Sequence, residues 1–342
     1  MNFSSDNATG VAPEIMAALA AANEGHAMAY GDDSVTKAAE AAFTDLFERE
    51  LAVFPVATGT AANALALSAL TPPWGQIYCH RNAHIEEDEA GAPELLTGGA
   101  KLALLDGEHG KIGAETLAAA VAAAGFGVQH HPQPCAVSLT QATEAGTAYS
   151  PDEVAALAAI AHDAGLSVHM DGARFANAVA NLGCSPAEAT WKAGVDVLSF
   201  GATKNGAMAA EAVIFFDPDK AEDFLYRRKR GGHLFSKMRF LSAQLVAYLR
   251  DDLWLENARH ANARAAELSQ GLAALDGAHL VHDVEANEIF VHLPEAVLAA
   301  LEAGGVGFHR WGNGGQARFV CAFNTDADDV ARALQIARDA VK

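Results

Sequence analysis

Seven short apolar runs, separated by stretches long enough for helices, limit what this chain can fold into. The runs occupy residues 51–56, 76–79, 102–105, 136–139, 167–170, 195–200 and 212–216. Each is of strand length and mostly apolar, as a strand covered on both faces must be. Between them lie alanine-rich stretches of helical period, such as 115–124 and 152–164. The second opens on Ser150 and Pro151, residue types that suit the cap and first turn of a helix. Strand alternating with helix predicts a mostly parallel sheet with helices on both faces. Beyond about residue 268 the pattern shifts to shorter elements at 288–293, 318–322 and 326–341. The expected architecture is therefore α/β. An N-terminal arm and a large domain with a mostly parallel seven-stranded sheet take residues 1–245, and a smaller α+β domain takes 246–342.

Sheets of this kind bind ligands beyond the carboxyl ends of their strands, so the residues just after the runs carry the functional reading. Lys204 follows the run ending at Phe200, in Ser199-Phe200-Gly201-Ala202-Thr203-Lys204-Asn205-Gly206. Asp171 follows the run ending at Met170, in His169-Met170-Asp171-Gly172-Ala173-Arg174. Alone, Lys204 reads as a solvated surface charge. Paired with Asp171 it matches the needs of pyridoxal 5′-phosphate (PLP): an amine for a Schiff base and a carboxylate to keep the pyridine nitrogen protonated. Thr58-Gly59-Thr60 follows the first run, where small residues at a helix start let amides approach a phosphate, although the same residues also cap ligand-free helices. The segment lacks the glycine spacing of dinucleotide or P-loop sites, which lowers the case for NAD or ATP.

His84 stands on the loop after the second run, suited to stacking on a ring or moving a proton, or else to a plain surface role. The acidic string Glu86, Glu87, Asp88 and Glu89 reads as a solvated helix start, and no metal site is expected. Arg174 and Arg318 each offer the fork that pairs with a carboxylate, with structural ion pairing as the alternative. The basic run Arg227-Arg228-Lys229-Arg230 is either a solvated helix end or part of an anionic site.

Composition narrows the partners. With 23 basic against 43 acidic residues the formal charge is −20, which disfavours nucleic acid and anionic membrane. The four cysteines are scattered without paired spacing, as reduced core residues would be. The N-terminal residues lack the basic and apolar regions of a signal peptide, and no stretch is apolar enough to span a bilayer, so the expected location is cytoplasmic.

The ordered motifs Ser5-Asp6-Asn7, Tyr30-Gly31-Asp32-Asp33, Gly59-Thr60-Ala61-Ala62-Asn63, Ala83-His84, His169 to Arg174, Thr203-Lys204-Asn205-Gly206 and Ala317-Arg318-Phe319 resemble those of the low-specificity L-threonine aldolases. These are PLP enzymes of fold type I, related to aspartate aminotransferase, and the resemblance spans nearly the whole chain. It implies that Lys204 holds PLP, Asp171 pairs the ring nitrogen, His84 stacks on the ring, and Thr58, Gly59, Thr60, Arg174 and Thr203 line the cofactor. It further implies that Ser5, Arg174 and Arg318 grip the substrate carboxylate, with Asp88 also at the substrate. Tyr30 and Lys229 would complete the site from a neighbouring subunit of a homodimer or homotetramer. The implied reaction is retro-aldol cleavage of a β-hydroxy-α-amino acid to glycine and an aldehyde. The alternatives are a phenylserine aldolase or another PLP lyase or aminotransferase. Where many threonine aldolases carry a second histidine, this chain reads Gln141-Ala142-Thr143-Glu144. The proton acceptor is thus left open among His84, a bound water, Glu144 and Asp88.

Overall fold

The computed structural model describes residues 1–312 and 314–341. All seven apolar runs form strands: β1 (Ala52–Val56), β2 (Gly75–His80), β3 (Lys101–Leu105), β4 (Gln133–Thr140), β5 (Ser167–Gly172), β6 (Val197–Gly201) and β7 (Glu211–Phe215). They make one sheet in the order β1-β7-β6-β5-β4-β2-β3. Four of its pairings are parallel, from β6 through β5, β4 and β2 to β3, while β7 runs antiparallel to both β6 and β1. The expectation of a mostly parallel α/β sheet therefore holds, with one reversed strand.

The reversal matters for function. Because β7 runs backwards, its first residue, Glu211, pairs with Val56 and Gly201, the last residues of β1 and β6. A carboxylate at the start of one strand thus reaches the edge where its neighbours end.

The sheet is apolar on both faces because helices cover both. The helix Pro151–Asp163 starts as expected, with Ser150 accepting from the Glu153 amide and Glu153 accepting from the Ser150 amide. A large core under one face joins Phe43, Phe47, Phe175, Phe200 and Trp254. A second sheet, from β8 (His279–Leu280), β9 (Glu288–His292), β10 (His309–Arg310) and β11 (Gln316–Val320), packs a separate core with Leu268, Leu272, Leu298 and Phe319. The long helix Leu253–Ala273 joins the two: Trp254 and Ala258 belong to the large core, Ala265 and Leu268 to the small one. The expected boundary at 245/246 falls inside the preceding helix Arg239–Leu249, whose Leu245 and Tyr248 lie in the large core. The N-terminal arm also crosses over. Phe3 sits in the small core, and its backbone exchanges hydrogen bonds with Gly307 and Val320. No described helix is long and apolar enough to cross a membrane.

Candidate active site

The strand ends open onto a cavity of about 340 Å³ lined by Thr58, Gly59, Thr60, His84, Asp171, Thr203 and Lys204, the expected cofactor residues apart from Arg174. Two glycines let these loops converge. A Cβ on Gly172 would lie 2.8 Å from the Ser199 carbonyl, and one on Gly201 would lie 2.6 Å from the Ala173 carbonyl. Real Cβ atoms do not pack that closely, so β5 and β6 approach only because both positions lack side chains. Lys204 and Asp171 are thereby brought to one cavity. The Lys204 ammonium has no hydrogen bond or ion pair with any described residue.

Asp171 is buried and held by two donors, Asn63 Nδ2 at 2.8 Å and the Ala173 amide at 3.0 Å. Asn63 also donates to Glu89 Oε1 at 2.9 Å, and the same oxygen meets His84 Nδ1 at 2.8 Å. Glu89 therefore orients His84 with Nδ1 committed, which leaves Nε2 as its remaining ring nitrogen. The hydrogen bond that His84 donates to Glu89 raises the His84 pKa against the opposing effect of burial. Burial in turn pushes the Glu89 carboxyl up. Asn63 and Glu89 went unrecognised in the sequence. Glu89 is buried, whereas Glu86, Glu87 and Asp88 are exposed as a solvated helix start requires. Its spacing of five from His84 was the one available signal. Glu211 was missed as well. It accepts from the Ala202 amide at 2.9 Å, lines the cavity near Lys204, and is pushed up to about 7 by burial.

At the phosphate-sized end, the helix Gly59–Leu70 begins with Thr58 as its cap. Thr58 satisfies the amides of Ala61 and Ala62, which leaves those of Gly59 and Thr60 without a partner among the described residues. A Cβ on Gly59 would meet no atom within 4 Å. Nothing in the protein fills that space, and two free amides at a positive helix end face it. Free lysine, buried aspartate, unpaired amides and open space together match the donor set that PLP requires.

A second cavity of about 260 Å³ adjoins the first and holds Asp88 and Arg318. Arg318 donates from Nη2 to the Ser4 carbonyl at 3.2 Å and lies 5.0 Å over Trp311, while its buried Nε is unpartnered. Ser5 caps the turn Asp6–Ala8, and Asn7 of that turn lines the first cavity. Arg174 is arranged differently from Arg318. Its Nε and Nη2 meet Asp6 at 2.8 and 3.0 Å, its Nη1 lies 3.1 Å from Glu288, and it lines neither cavity. Tyr30 and Lys229 stack on each other on the surface, with Nζ 4.9 Å from the ring, and line neither cavity of this chain. In the basic run, Arg228 is buried over Phe54. Among the described residues no group of three or more His, Cys, Asp or Glu side chains is arranged to hold a metal ion.

An unpaired lysine and a buried aspartate at the strand ends, beside a helix N-terminus with free amides, define a class of α/β enzyme that holds an anionic cofactor at one sheet edge. The chain belongs to the beta-eliminating lyase family, whose model matches residues 2–296. It is 49% identical to a low specificity L-threonine aldolase from Pseudomonas aeruginosa, over 98% of this chain and 96% of that relative. Another protein of that description, from a Pseudomonas species, is 47% identical over the same shares. A solved threonine aldolase from Leishmania major matches with a TM-score of 0.93 at 26% identity, covering 100% of this chain and 99% of the other. A serine palmitoyltransferase from Sphingomonas wittichii, at 18% identity, TM-score 0.75 and coverage of 99% and 86%, shares the fold.

Proposed function

We propose that this protein is a PLP-dependent aldehyde-lyase that cleaves L-threonine, L-allo-threonine and related β-hydroxy-α-amino acids to glycine and an aldehyde. The observation that carries this reading is the pairing of an unpartnered Lys204 with a buried, doubly hydrogen-bonded Asp171 in one cavity. Nearly full-length relatives described as low specificity L-threonine aldolases support the reaction. When bound, PLP supplies an electron sink for the pair released as the Cα–Cβ bond breaks.

The residues divide the remaining work. Lys204 is the amine that anchors the cofactor. Asp171, fixed by Asn63 and the Ala173 amide, keeps a proton on the ring nitrogen. His84 covers the ring, oriented by Glu89. The amides of Gly59 and Thr60, with Thr58 and Thr203 beside them, hold the phosphate. Arg318, with an unused Nε, and Ser5 take the substrate carboxylate, and Asp88 lies beside the substrate. Arg174 supports that grip from behind by holding Asp6 and hence the arm that bears Ser5. Fixing the carboxylate orients the α-carbon and so selects which of its bonds breaks.

The enzyme acts as a cytoplasmic homo-oligomer, a dimer or tetramer, in which Tyr30 and Lys229 are presented to the site of a neighbouring copy. Exposed Met28, Tyr30, Met208, Tyr226 and Phe235 support this, because apolar side chains of that size are usually covered when an assembly forms. The test of function is product analysis with L-threonine and L-phenylserine. Glycine with acetaldehyde or benzaldehyde supports an aldolase. Ammonia with a keto acid would make it an eliminating lyase, and exchange of the amino group an aminotransferase.

A further inference from the structure

Glu144 is the one described residue that lines both cavities. The first holds Lys204 and the free amides, and the second holds Arg318. On the reading above, an amino acid with its amine toward Lys204 and its carboxylate on Arg318 spans the junction where Glu144 stands. We propose that Glu144 is the catalytic group that takes the proton of the substrate's β-hydroxyl.

Three observations support this. The loop that carries Glu144 is held in place. Gln141 Nε2 donates to the Tyr149 carbonyl at 2.8 Å and Gln141 Oε1 accepts from the Tyr149 amide at 2.9 Å, while Thr143 and Thr147 both bind the His109 carbonyl. Its carboxylate is uncommitted, with no hydrogen bond from any described residue, unlike Glu89 and Glu211. Burial, reinforced by Glu288, pushes its carboxyl up to about 7, with Lys204 and Arg174 opposing and Asp171 reinforcing. A base of that strength is suited to neutral working pH. The other titratable or charged groups lining the two cavities are His84, Glu89 and Glu211 in the first and His80, Glu87, Asp88, His109, His282 and Arg318 in the second. His84 is the weaker choice, since its Nδ1 is held by Glu89 and that bond favours the cation.

The step balances. The β-hydroxyl O–H bond breaks and its proton goes to a Glu144 carboxylate oxygen. The Cα–Cβ bond breaks, the aldehyde C=O forms, and the electron pair stays on the α-carbon side. The α-carbon then takes one proton from solvent to become glycine, and Glu144 releases the one it received to solvent, so no proton is gained or lost overall.

The experiment compares holoenzyme with Glu144→Gln and Glu144→Asp. Cleavage of L-threonine is measured beside α-proton exchange of glycine in D2O, a reaction with no β-hydroxyl. Glu144→Gln is expected to slow cleavage about 100-fold, the usual scale for loss of a general base, and at least tenfold more than it slows exchange. The acid limb of kcat/KM near pH 7 should vanish, and Glu144→Asp should recover part of the rate. A readout separate from turnover is the melting temperature against pH. A carboxyl raised by folding disfavours the folded state once ionised, so Glu144→Gln should gain on the wild type between pH 5 and pH 8. Equal slowing of cleavage and exchange, or an unchanged acid limb, would overturn the proposal. Failure of the wild type to cleave any β-hydroxy amino acid would instead remove the functional reading on which it rests.

Discussion

Replacing Arg174 by methionine keeps most of the side-chain volume and removes the charge from a buried cluster. Arg174 is 8% exposed, and its partners Asp6 and Glu288 are 1% and 2% exposed. Three contacts of 2.8 to 3.1 Å would be lost, leaving two buried carboxylates without their cation. Removing one partner of a buried pair costs about 3–5 kcal/mol, and that is the loss expected near pH 7.5. The pH dependence carries the sharper test. Burial alone would push the Asp6 carboxyl up, but the Arg174 guanidinium and its hydrogen bonds hold it below the usual carboxylate range. A depressed carboxyl contributes stability above its unfolded pKa and loses it as pH falls through the folded value. In the variant Asp6 is freed to rise and joins Glu288, whose carboxyl burial already pushes up. Both then gain protons on mild acidification, so the gap between variant and wild type should narrow from pH 7.5 to pH 5. Urea unfolding followed by fluorescence at both pH values measures it. A difference below about 1 kcal/mol, or one that is the same at both pH values, would refute the reasoning.

Three further outcomes follow from the site. Glu89→Gln should lower the His84 pKa, because it removes the carboxylate hydrogen bond, and with it the charge, that favours the imidazolium, at a stability cost of about 1.5–3 kcal/mol; an unmoved His84 titration by NMR would show that Glu89 does not tune it. Arg318→Ala should raise KM about 30-fold, the equivalent of roughly 2 kcal/mol for a desolvated charged contact, and an unchanged KM would remove Arg318 from the carboxylate grip. Gly201→Ala places a methyl 2.6 Å from the Ala173 carbonyl and must push β6 away from the turn after Asp171. The expected result is a loss of about 1–3 kcal/mol in stability together with weaker PLP binding, and wild-type values for both would contradict the packing described.

Much of this was legible in the sequence because the strands are buried on both faces and read as uninterrupted apolar runs. What a strand's composition does not encode is its direction, since Glu211–Phe215 would look the same in a parallel pairing. That is why Glu211 was not assigned to the site. The short strands His279–Leu280 and His309–Arg310 carry too few residues for any period to show. Lys204, Asp171, His84 and Gly59, which line the first cavity, could be placed at strand ends from their local neighbours. The partners of Arg174 were not, because Asp6 lies 168 residues away along the chain and meets it only when the N-terminal arm folds back. Glu89 was hidden by its company: three exposed acids precede it, and only the fold turns the fourth inward.

The central claim is that Lys204 is the amine that holds the cofactor. Reduction of the PLP-loaded protein with borohydride, followed by peptide mapping, tests it most directly. A single reduced adduct on Lys204, absent from a folded Lys204→Ala variant that no longer turns over threonine, is the expected result. An adduct on another lysine such as Lys229, or aldolase activity retained without Lys204, would contradict it.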